Sequence, residues 1–143
     1  MVRIVVDTNI WVSGLLWRGL PWQLLQLAET GRVEICMTEV MLEELSAVLH
    51  YSRLQSRLQC IGVTPDELIT YVSQCATFFE SPPASSSDVP LVAIDPDDDI
   101  FIRCALVAKA SWLVSGDHHL LEMQHYAGIQ IVTVHDFFAQ VLL

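Results

Sequence analysis

A chain of 143 residues, 52% of them hydrophobic, is long enough to bury a sizeable core, yet no apolar run approaches the ~20 residues that span a bilayer. The net charge of −10, from 17 acids against seven Lys and Arg, excludes general electrostatic capture of polyanions. Any phosphate handled here must be held by bound cations or by a few arginines.

In chain order, "RIVVDT" is a β-branched run ending in a turn-capable acid and predicts a buried strand. The acid also comes too early for the apolar region of a signal peptide, so a cytoplasmic protein is expected. Thr8 or Asn9 can open a helix over "IWVSGLLW", and Pro21 suits the first turn of a second helix ending at Gly31. "VEICMT" reads as a second strand, and Thr38 as the N-cap of a helix through about His50. "RLQSRLQCIG" predicts a short helix, and Thr64-Pro65-Asp66-Glu67 starts another that runs to about Phe79.

"ESPPASSSDVP" reads as a loop within one domain, 1–143. A helix over 97–109, a strand "WLVS", a short helix after Asp117, a strand "IQIVTV" and a helix from about His135 complete the chain. Strands alternating with helices indicate an α/β domain around a mainly parallel sheet. In such sheets ligands gather at the carboxyl ends of the strands. Cys36, Cys60, Cys75 and Cys104 are isolated and read as buried free thiols.

The acids carry most of the chemistry. Asp7 and Asp117 each end a strand, where a turn alone could use Asp, but both would face the same edge of a parallel sheet. On the helix from Thr38, Met41, Leu42, Leu45, Val48 and Leu49 share one arc; Glu44 lies at its margin and Glu43 nearly opposite. Glu44 can therefore reach a cleft. In "DPDDD", Asp95 suits an N-cap, Asp97 the first-turn dipole and Asp99 an ion pair with Arg103. Asp98 shares a face with Phe101, Ile102 and Ala105, and this segment leaves it open between a capping box and a cleft. Should Asp7, Glu44, Asp98 and Asp117 converge, their repulsion requires protons or hard cations, and oxygen ligands suit Mg²⁺ or Mn²⁺.

"VVDTNIWVSGLLWRG", "TEVMLEELSAVL", "DPDDDIFIRCALVAKASWLVSGDHHLL" and "IQIVTVHDFF" together resemble the PIN-domain ribonucleases, and most closely the VapC-like toxins of toxin–antitoxin pairs. The likeness runs over nearly the whole chain. It implies a three-layer α/β/α sandwich, metal-dependent cleavage of single-stranded or structured RNA, and a cognate antitoxin. Carried over by motif, the metal-site acids are Asp7, Glu44, Asp98 and Asp117, with Thr8 and Asn9 completing a "D-T-N" turn. Relatives usually have Thr where Ser115 stands, and many have a further Asp where this chain has His119. That second departure supports an alternative, a catalytically weak RNA-binding or regulatory protein.

A phospho-acceptor signalling domain also clusters acids around Mg²⁺, but it wants a lysine at a strand end, and Lys109 falls in a helix. Arg53 and Arg57, one helical turn apart, could both contact phosphate or could line a solvated face. Trp11, Trp17 and Trp22 read as core or dimer contacts, and with so apolar a composition a homodimer is expected. No interleaving of aromatic with basic residues marks an RNA platform.

Overall fold

The computed structural model describes residues 2–80 and 96–141, with backbone alone for 96–99. Strand β1 (Val2–Val6) leads into α1 (Thr8–Trp17) and α2 (Gly19–Glu29), which return the chain to β2 (Val33–Met37). Helices α3 (Glu39–Leu49), α4 (Ser52–Ile61) and α5 (Pro65–Cys75) follow, then β3 (Thr77–Phe78). After the undescribed segment come α6 (Pro96–Ala108), β4 (Trp112–Val114), α7 (His118–Met123), β5 (His125–Tyr126), β6 (Ile129–Val132) and α8 (Val134–Val141). The strand order is β3-β2-β1-β4-β6-β5, parallel throughout except for the β5–β6 pair.

Successive strand residues point to opposite faces. Ile4, Val5 and Val6 in β1, like Ile35, Cys36 and Met37 in β2, are all buried, so helices cover both faces of the central strands. That is the expected three-layer α/β/α sandwich. From β1 the chain crosses to β2 on one side, while β4 returns on the other. The β1–β4 boundary is therefore a topological switch point, where α/β sheets open a crevice beyond their strand ends.

Two short strands were not anticipated. The helix expected to reach Phe79 stops at Cys75, because Ala76 is extended (φ −94°, ψ 152°) and sends Thr77 and Phe78 to pair with Cys36 and Met37. β5 folds back on β6 through Ala127 and Gly128, both at positive φ (49° and 86°), as a tight two-residue hairpin requires. All four cysteines are free, but only Cys36 and Cys104 are fully buried; Cys60 is exposed and Cys75 intermediate, correcting the expectation of four buried thiols. Among the described residues no helix is long and apolar enough to cross a membrane.

Candidate active site

Asp7 is held where β1 becomes α1. Its backbone N–H donates to Val114 O of β4 at 3.1 Å, tying it to the switch point. Sequence reasoning had Thr8 or Asn9 open α1; the N-cap is Asp7 itself, whose Oδ1 accepts from Ile10 N at 2.9 Å. Oδ2 accepts from the Ser115 hydroxyl and, at 3.3 Å, from Gly116 N. The Ser115 Oγ in turn accepts from Asp117 N at 2.9 Å. The buried hydroxyl of Ser115 thus links the two strand-end acids, and a threonine at that position supplies the same group.

Glu44 stands half-buried on α3, with Glu43 exposed, as the helical arc required. The buried Thr8 hydroxyl donates to its Oε2. Asp117 caps α7, its Oδ1 accepting from His119 N at 2.7 Å and Leu120 N at 3.4 Å. The imidazole of His119 is exposed, its Nδ1 3.9 Å from Asp117 Oδ1. Asp7, Thr8, Asn9, Glu44 and Asp117 line one cleft of about 210 Å³ together with Val48, Tyr51, Arg53 and Phe101.

The cap reading and the cleft reading are therefore not rivals, because each carboxylate has capacity left over. A carboxylate offers about four lone-pair sites. Asp7 fills three of them, Asp117 fills only those on Oδ1, and Glu44 leaves Oε1 without a partner among the described residues. Burial pushes the Asp7 carboxyl above its usual range and Asp117 adds to the rise, while the Ser115 hydroxyl and the N–H groups of Ile10 and Gly116 pull it back. Oxygen donors with spare lone pairs fit a hard divalent cation. Among the described residues, however, no three His, Cys, Asp or Glu groups close around one point. The side chain of Asp98, like those of Asp97 and Asp99, and the whole of Asp95 lie outside the described residues.

Arg53 joins this cleft; Arg57 does not. The Arg57 guanidinium donates from Nε to Leu16 O at 2.7 Å and lies 5.6 Å from the Trp17 ring centroid, beside a larger apolar cleft of about 400 Å³. Lys109, expected in the helix, lies just past the end of α6 in a turn at φ 56°, ahead of the amino end of β4 and so at the opposite sheet edge from the acids, where a phospho-acceptor site has no use for it. Trp11 is core, whereas Trp17 is 54% exposed. Sequence reasoning missed Tyr51, which lines the acidic cleft; its only signal was an aromatic residue two positions before Arg53.

The PIN domain family model matches residues 3–119. The chain belongs to the PIN domain family, whose members are in general nucleases. No curated protein is close enough in sequence to count as a match. Among solved structures, the chain is similar to PAE2754 from Pyrobaculum aerophilum, at 16% identity over 99% of this chain and 90% of that one, with a TM-score of 0.63. It is similar to a chain of VapBC2 from Rickettsia felis, crystallised with a DNA fragment from their promoter, at 14% identity over 91% and 97% of the two chains (TM-score 0.61). The T. brucei RRP44 PIN domain matches at 14% identity over 99% of this chain and 81% of that one, with a TM-score of 0.50. At these identities the likeness is one of fold.

Proposed function

We propose that the protein is a Mg²⁺- or Mn²⁺-dependent endoribonuclease, the toxin of a type II toxin–antitoxin pair acting in the cytoplasm. One observation carries the reading: Asp7, Glu44 and Asp117, from three separate segments, line one cleft at the carboxyl edge of the sheet with lone pairs to spare. Asp98 is the proposed fourth acid. Phe101 lines the same cleft, and helical spacing sets position 98 one turn before it on the same face.

In this reading the four carboxylates hold the cation, Thr8 orients Glu44, and Ser115 fixes Asp7 against Asp117. A bound Mg²⁺ or Mn²⁺ lowers the pKa of an attacking water and offsets charge on the leaving oxygen. The hydrogen bonds on Asp7 oppose its protonation and keep it available as a ligand. The proposed antitoxin, and a homodimer, would cover exposed apolar surface such as Trp17. RNA oligonucleotides incubated with purified protein should be cut with Mg²⁺ or Mn²⁺ and left intact in chelator. Cutting that survives chelation would refute the metal-dependent reading. RNA binding without cutting in either ion would favour a regulatory PIN protein, with His119 in the place of an acid.

A further inference from the structure

We propose that Tyr51 and Arg53 form a stacking platform at the rim of the acidic cleft that receives the nucleobase beside the scissile phosphate and so sets how tightly substrate is held. The inference rests on the nuclease reading and assigns two substrate-positioning residues to that same site.

Both side chains line the cleft with Asp7, Glu44 and Asp117. The Arg53 guanidinium carbon lies 5.5 Å from the Tyr51 ring centroid, so cation and ring act as one surface. Tyr51 is 48% exposed, although its backbone is pinned. Tyr51 N donates to Val48 O at 3.0 Å, Leu54 N donates to Tyr51 O at 3.0 Å, and Gln55 Nε2 bridges Leu49 O (3.1 Å) and Tyr51 O (3.0 Å). An exposed aromatic on a fixed joint loses little freedom when a base stacks on it.

Charge supports the same placement. Beyond a cation held by the acids, a phosphodiester at this rim needs attraction from side chains, and Arg53 is the one Lys or Arg among the described residues that line this cleft. It has no acidic partner among the described residues, whereas Arg3 pairs with Glu34 at 2.7 Å and Arg57 is spent on Leu16 O. A base inside an A-form duplex already stacks on both neighbours and cannot offer its face; a splayed base can. The bland alternative is a surface cation–π pair that serves only stability.

Two measurements separate these outcomes. In the first, wild type, Tyr51→Leu, Tyr51→Phe and Arg53→Gln cut the same RNA sequence, unpaired or annealed in a duplex, with Mn²⁺. In the second, an unpaired oligonucleotide carrying 2-aminopurine is titrated with each substitution in an Asp7→Asn background, and stacking is read as fluorescence quenching. The expected results are a preference for the unpaired strand and, for Tyr51→Leu, a KM raised about tenfold with kcat within about twofold and with quenching lost. Tyr51→Phe should restore both. Arg53→Gln should raise KM and flatten its salt dependence. If wild type cuts RNA but Tyr51→Leu keeps its KM and its quenching, or the duplex is cut equally well, the platform is overturned and the nuclease reading stands. Tyr51-dependent quenching without any cleavage would keep the platform and overturn the nuclease. Neither quenching nor cleavage would overturn both.

Discussion

Arg53 and Arg57 stand one helical turn apart on α4 and serve different clefts. Arg53 rests on an exposed tyrosine, without an acidic partner among the described residues, at the rim of a cleft lined by three acids. Arg57 is half-buried, satisfies the last turn of α1 through Leu16 O and covers Trp17 beside an apolar cleft. The first is placed where a charge can act on a ligand; the second is consumed in joining two helices. Residue type and spacing were identical in the sequence, and what separates the two is what α1 and α3 bring to each end of α4.

The largest effect that would break or sharpen this contrast lies in the acids. Asp7→Asn and Glu44→Gln keep shape but remove charge from the acidic cleft, and each should lower metal-dependent cleavage by at least about a hundredfold. Next come the arginines. Arg57→Ala should lower stability by ~1–3 kcal/mol in chemical denaturation, because it strips Leu16 O of its charged donor, and should leave KM nearly unchanged at low temperature. Arg53→Ala should do the reverse, costing no more than ~1 kcal/mol of stability while raising KM. If the two behave alike, the division of labour between the clefts is wrong.

A smaller effect should follow from Thr8→Val, which keeps the shape and removes the hydroxyl that donates to Glu44. Activity should fall several-fold, read as an initial rate, while the melting temperature barely moves.

The smallest effect is a pH slope. Burial raises the Asp7 pKa in the folded, metal-free protein, so the folded state binds that proton more tightly than the unfolded chain does. Asp7 therefore contributes a loss of stability as pH rises from its ordinary value of 3.8 through the folded value, and no further change above it. Melts of wild type and Asp7→Asn in chelator should differ by that slope; parallel curves would mean the acid is not strained by its burial.

Much of this was legible in the sequence where local pattern and tertiary role coincide. β1, β2, β4 and β6 are apolar runs bounded by turn residues, and Glu44 was separated from Glu43 by helical phase alone. The family motifs pointed to the same four acids, Asp7, Glu44, Asp98 and Asp117, as the strand ends and helical phase together had offered. The failures are tertiary. β3 and β5 are two residues each and exist only because β2 and β6 offer edges to pair with. The cap of α1 is a local contact that the adjacent Asp7, Thr8 and Asn9 could each have made, whereas Tyr51 as a wall of the acidic cleft depends on where α3 turns into α4, which no periodicity encodes. That same turn separates the roles of Arg53 and Arg57.

The most direct test of the central claim, that the acidic end is a cation-dependent nuclease site, uses the acid run at the start of α6. Asp98→Asn and Asp99→Asn are compared in Mn²⁺-dependent cleavage of an unpaired RNA, with thermal melts in chelator. The expected result is a steep loss for Asp98→Asn with a melt equal to or slightly above wild type, and near-intact activity for Asp99→Asn, with at most a few tenths of a kcal/mol lost if the pairing with Arg103 expected from the sequence goes. Equal activities, or a loss at Asp99→Asn alone, would contradict it.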